Sequence, residues 1–102
     1  MNDRWEALPF LVQMANVGSE VERALRWKAK NNPVYCEKAF DRALELLDLT
    51  LEKATRFRRL KELARARELL VDYFLGSNQY SSTEAGWRRY FLSFACAANR
   101  DR

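Results

Sequence analysis

The chain contains no histidine, and that absence removes more functional classes than any residue present. Without an imidazole there is no His acid–base catalysis and no Ser–His or Cys–His nucleophile pair. The Glu-x-x-His ligand sets of di-iron bundles are excluded for the same reason. Glycine and proline are scarce, at three and two residues. The glycines stand far apart, so no glycine-rich loop can cradle a phosphate. So few breakers favour long helices over strands that need frequent turns. The two cysteines, Cys36 and Cys96, sit singly in apolar stretches with no C-x-x-C or metal-ligand spacing. They read as buried, reduced thiols. No window approaches ~18 uninterrupted apolar residues, and MNDRWEALPFLVQ lacks the basic lead and long apolar run of a signal peptide. These absences point to a cytoplasmic, non-catalytic protein with no membrane span, cofactor or metal.

What remains is helix-forming. The 102 residues fit one domain, 1–102, and 48% of them are hydrophobic, including six Phe, four Tyr and three Trp. A domain this short buries only roughly two-thirds of its unfolded surface, which makes association with a second copy a natural way to hide more. Lys and Arg total 18 against 14 acidic residues, a net charge of +4 with both signs interspersed. That excess permits anion or nucleic-acid binding without demanding it.

The periodicity predicts an all-α, antiparallel four-helix bundle. A first helical stretch runs from about Asp3 to Val17, with Trp5, Leu8, Leu11, Val12 and Ala15 on one stripe. Pro9 is tolerable there in a first turn and otherwise marks a kink. Gly18-Ser19 can split this helix, because Ser19 and Glu22 form a capping-box pattern. However, Leu11, Met14, Gly18, Val21, Leu25 and Lys28 keep a three-four spacing through the glycine. This spacing predicts one helix from about 4 to 31, closely approached by a neighbour at Ala15 and Gly18.

Asn32-Pro33 restarts the chain as N-cap and first helical residue. The next helix runs from Pro33 to about Thr55, with Cys36, Phe40, Ala43, Leu44, Leu47, Leu51 and Ala54 on its main stripe. Ala39, Leu46 and Leu49 widen that face, which suits a helix with two or more neighbours. A further helix covers about Arg56 to Leu75, with Leu60, Leu63, Ala64, Leu70, Val71 and Phe74 inward and Gly76 ending it. The polar loop GSNQYSS follows. Ser81 and Glu84 form a second capping-box pattern before a last helix from about Ser82 to Asn99. There Trp87, Tyr90, Phe91, Phe94, Ala95 and Ala98 share a face. Short connections make the neighbours antiparallel.

Four groups of residues are candidates for function. Arg58, Lys61 and Arg65 share a face within the basic run Arg56–Arg67, and with Arg88 and Arg89 they are a candidate anion or nucleic-acid patch. Glu62, Glu68 and Asp72 on the same helix favour a salt-bridged surface instead. Asp41, Glu45, Asp48 and Glu52 make an acidic ridge, which needs carboxylates from a second helix before it can hold a metal. Arg67 lies on the apolar side of its helix and calls for a partner, Glu45 or Asp48, in an interhelical polar cluster. Finally, the aromatics exceed what one small core needs. Trp27, Tyr73, Tyr80, Trp87 and Tyr90 are therefore a candidate partner surface, most simply an isologous dimer face.

The segments KAFDRALELLDLTLEKA and LARARELLVDYFLGSNQY resemble the helices of small prokaryotic HEPN-type bundles. That group includes the substrate-binding partners of minimal nucleotidyltransferases. The resemblance covers roughly residues 20 to 98 and rests on helix pattern and size. Active members carry an Arg followed four to six residues later by His, and this chain has no His to supply it. The resemblance thus implies a dimeric, catalytically silent binding module and carries over no functional residue. RWKAKNNPVYCEKAFDRALELLDLTL also resembles a single tetratricopeptide-type helix pair, but no second copy follows at ~34 residues. The expectation is a helical interaction module, a homodimer that binds a protein partner. The alternative is a nucleic-acid or nucleotide-binding accessory using the Arg56–Arg67 run.

Overall fold

Asn32 caps a helix as its side chain predicts: its Oδ1 accepts the Tyr35 amide at 3.1 Å, and Pro33 occupies the first helical position. The structure is a computed structural model that describes residues 9–54 and 56–100. Four helices follow in chain order: α1 (Phe10–Ala29), α2 (Pro33–Glu52), α3 (Phe57–Leu75) and α4 (Glu84–Arg100). There is no strand among the described residues. The chain is an all-α four-helix bundle in which α1 packs against α2 and α4.

Helix α1 is continuous through Gly18. Its predicted first turns, with Trp5 and Leu8, lie outside the described residues, and Pro9 stands as its N-cap. The Ser19–Glu22 capping box does not form, because no helix begins there. Ser19 Oγ instead donates to the Ala15 carbonyl one turn back at 3.2 Å, and Glu22 turns to Arg26 and Arg88. Gly18 serves packing: a β-carbon there would stand 2.7 Å from Cβ of Phe91 on α4. The missing side chain lets the two backbones close together.

Contacts across the bundle give its direction. Asp48 meets Arg67 and Phe40 stacks on Phe74, so partners on α3 rise in number as those on α2 fall. Gly18 with Phe91 and Phe10 with Phe94 do the same for α1 and α4. Both pairs are antiparallel. Arg59 lies over the Phe10 ring and Lys28 over Tyr73, so α1 and α3 run parallel across the bundle. The core between them holds Met14, Leu25, Phe40, Leu47, Leu63 and Leu70, each 2% exposed or less. Each such side chain contributes about 1.5–3 kcal/mol relative to exposure.

Two local expectations are corrected. The last helix is capped by Thr83 rather than by a Ser81–Glu84 box: Thr83 Oγ1 accepts the Gly86 amide at 2.9 Å. Ser81 adopts φ 55°, which leaves it in the loop, and Glu84 pairs with Arg88 one turn on. On α3 the inward face is Leu63, Ala66 and Leu70, whereas Leu60 and Ala64 are exposed. The reason is that, among the described residues, α3 is covered on one side only. Apolar residues placed a third of a turn off the core direction have no other described residue packed above them.

Candidate interaction surface

The residues along the outer side of α3 decide what this bundle offers to a partner. One turn spans 3.6 residues, so steps of four and three trace a single stripe. From the start of α3 that stripe is Phe57, Lys61, Ala64, Glu68, Val71 and Leu75. Phe57 is 77% exposed and Leu75 is 61% exposed, and Leu60 at the stripe's edge is 41% exposed. Lys61, Ala64 and Glu68 are exposed as well, and Val71 is half-buried. The stripe thus has an apolar residue at each end, a cation and an anion inside them, and a small residue near the middle.

Polar contacts hold one side of this stripe in place. The Tyr80 hydroxyl donates to Glu68 Oε1 at 3.1 Å, and the Arg65 guanidinium lies 4.8 Å from the Tyr80 ring centroid. Arg65 also pairs with Glu68 at 3.6 Å. Tyr80 reaches this position because Asp72 folds the preceding loop back onto α3. The Asp72 carboxylate accepts the amides of Gln79 and Tyr80 at 2.9 and 3.1 Å. Asn78 then exchanges side-chain and backbone hydrogen bonds with Ser82 at 2.9 and 3.0 Å. Asp72 looks like an ordinary helix-surface acid in the sequence. Its partners lie seven and eight residues away in a loop, beyond any helical pattern.

The predicted basic patch is divided by the fold. Arg58, Lys61 and Arg65 do share the outer flank of α3, where Glu62, Ala64 and Glu68 lie among them. Arg88 instead turns towards α1, donating from Nε to Glu22 at 2.7 Å and pairing with Glu84 on its own helix. The hydrogen bonds it donates to Glu22 and, in smaller measure, to Glu84 raise its pKa. Arg89 is exposed on α4. Steering Arg88 inward was a matter of which neighbour carried a carboxylate, and no spacing reveals that.

The predicted polar cluster forms in part. Arg67 donates from Nε to Asp48 Oδ1 at 2.7 Å and from an amino nitrogen to Oδ2 at 3.4 Å. This bond chiefly raises the Arg67 pKa, against a smaller opposing effect of burial. Glu45 is not part of it and pairs with Arg42 on its own helix at 3.1 Å. It points one helical step away from α3. No group of three metal-ligating side chains occurs among the described residues, so the acidic ridge does not converge with a second helix.

The five candidate aromatics separate. Trp87 is 6% exposed and belongs to the core, not to a surface. Its indole N–H has no hydrogen-bond partner among the described residues. Tyr90 is half-buried between Trp87, Phe91 and Phe94, with its hydroxyl on Glu62 at 3.2 Å. Burial first, then the Glu62 carboxylate, pushes its pKa up. Trp27 meets Tyr35 edge-on at 4.8 Å, and Tyr73 is half-buried beside Phe74 under Lys28. Of the five, Tyr80 alone is exposed. The aromatic surplus is thus mostly absorbed where α4 meets its neighbours. Exposed apolar side chains remain at Val34 and Tyr35 on α2, Tyr80 in the loop and Leu92 on α4, and α3 carries three of them, Phe57, Leu60 and Leu75.

Two grooves flank α4. One of about 520 Å³ lies against α1, with Gly18, Glu22, Arg88 and the exposed Leu92 on its walls. Another of about 400 Å³ lies between α3, the loop and α4, beside Leu69, Thr83 and Tyr90. Cys36 is half-buried and burial raises its pKa, as expected of an inert thiol, whereas Cys96 is exposed rather than buried because it faces away from α1. No helix among the described residues is long and apolar enough to cross a membrane. No family model matches the chain, and no curated protein or solved structure gives a significant match.

Proposed function

We propose that this chain is an interaction module that works as a homodimer, with the outer face of α3 as its contact surface. The observation that carries this reading is Phe57, 77% exposed on a helix whose opposite side already fills the core. A phenylalanine and two leucines on one exposed helical face leave apolar area that water does not solvate well. A symmetric dimer hides the same patch on both copies at once. The HEPN-type resemblance, which implies a dimeric and catalytically silent module, supports the same reading.

Light scattering after size exclusion tests it, run across protein concentration at low and high salt, with and without added RNA. A dimer that persists in high salt and does not change with RNA supports the reading. A monomer at every concentration overturns it. A species that shifts with RNA at low salt only would move the function to the Arg58, Lys61 and Arg65 flank, since phosphate contacts weaken as counterions compete.

A further inference from the structure

We infer that the two copies pair α3 against α3 in antiparallel register, each Lys61 forming an ion pair with the partner's Glu68. This rests on the homodimer reading above and adds its geometry.

The stripe Phe57, Lys61, Ala64, Glu68, Val71 and Leu75 has steps of four, three, four, three and four residues. That series reads the same in both directions. A twofold axis crossing the helix near its middle therefore lays the stripe on a reversed copy of itself with no position left over. Phe57 then meets the partner's Leu75, Lys61 lies level with the partner's Val71, and Ala64 lies level with the partner's Glu68. Alternating steps of three and four are also the spacing at which two helices interlock side chains along a shared seam.

The chemistry at those positions agrees with the geometry. The most exposed apolar residues of the helix stand at its two ends, so the reversed pairing covers both with one another. Ala64 near the centre lets the backbones approach, where a larger residue would hold them apart. Lys61 has no ion pair among the described residues. The partner's Glu68 is one helical turn along from the partner's Val71, a distance that a lysine side chain spans. Within its own chain Glu68 is held on the stripe by Tyr80 and Arg65, so the carboxylate is already placed to receive it. A parallel pairing would set Lys61 against Lys61 and Glu68 against Glu68. Only the reversed orientation makes the face complementary to itself.

Charge reversal separates these outcomes. K61E brings two carboxylates together at each contact between the copies, and E68K brings two ammonium groups together there. Each single variant is expected to self-associate at least about tenfold more weakly than the unaltered chain, because like charges across an interface are strongly disfavoured. Mixing the two variants in equal amounts restores opposite charges at both contacts. The mixture is therefore expected to dimerise as tightly as the unaltered chain, measured by sedimentation velocity with one variant fluorescently labelled. Rescue on mixing cannot come from a purely intrachain role of Glu68, because each variant keeps its own substitution. Helical circular dichroism of each variant checks that both are folded, and Lys61→Gln with Glu68→Gln is the neutral pair to use if either is not: each is then expected to weaken the dimer less than charge reversal. If the unaltered chain dimerises while the variants do so equally well, or their mixture stays dissociated, the antiparallel register with its Lys61–Glu68 pair is overturned and the homodimer reading stands. If the unaltered chain is a monomer, the homodimer reading itself fails.

Discussion

Phe91 carries its β-carbon to within 2.7 Å of the point where a side chain on Gly18 would begin. The contact joins the middle of α1 to α4, and the obstructing atom is the root of a side chain rather than its flexible end. Gly18→Ala improves helix propensity by up to about 1 kcal/mol. It also forces α1 and α4 apart, and crowding a packed interface costs about 1–3 kcal/mol. The net expectation is destabilisation, read as a lower urea midpoint with unchanged slope.

Trp87 and Phe91 are both buried on α4, but they bear different burdens. The Trp87 indole N–H is unpaired among the described residues, which costs about 1–3 kcal/mol in a buried site. Trp87→Phe removes that N–H along with some ring area, so stability is expected to stay within about 1 kcal/mol. Phe91→Ala has no such relief and is expected to cost about 3–5 kcal/mol. Chemical denaturation of both variants reads the contrast.

Arg67 and Asp48 pin α3 to α2, yet their side chains are 40% and 46% exposed. Solvent screening reduces the attraction between charges this open to water. A double-mutant cycle with Arg67→Met and Asp48→Asn is expected to give a coupling under about 1 kcal/mol. A coupling of several kcal/mol would show that the pair is desolvated in solution.

Glu22 has its pKa lowered from 4.5, first by the hydrogen bond from Arg88 and, in smaller measure, by Arg26. The unfolded chain therefore binds this proton more readily than the folded one. The stabilisation is present above the unfolded value and is lost as pH falls through the folded value. Lowering pH from about 6 to about 3 is expected to reduce the stability of Glu22→Gln less than that of the unaltered chain. Equal losses in the two proteins would show that the Arg88 contact is not formed.

Asp72 holds the loop between α3 and α4 through the amides of Gln79 and Tyr80. Asp72→Ala is expected to cost about 1 kcal/mol globally. It should also speed hydrogen exchange at those two amides well beyond the change elsewhere. Because Tyr80 then loses its place beside Glu68, the variant also tests how far loop order supports the α3 face.

Much of the local architecture is legible in residue types and spacing. Asn32-Pro33 reads as a helix start, Gly76 as a helix end, and the unbroken phase through Gly18 as one helix; each depends on interactions within about one turn of chain. The Arg67–Asp48 pair is also anticipated, because an arginine on an apolar stripe must find a carboxylate on the neighbouring helix. Glu45 is an equal candidate by spacing, and one helical step of orientation separates them.

The sequence by itself determined that this chain forms four amphipathic helices and that one of them starts at Asn32-Pro33, since periodicity and capping are short-range properties. Only the tertiary structure decided which apolar residues are covered. Trp87 and Phe57 have similar claims to burial by composition. Trp87 lies where α4 meets its neighbours, whereas Phe57 lies on the side of α3 that no other helix among the described residues reaches. Arg88 illustrates the same division, since its spacing allied it with Arg89, and the approach of α1 gave it Glu22. Burial and pairing are set by the sum of all helix positions, and no local pattern contains that sum.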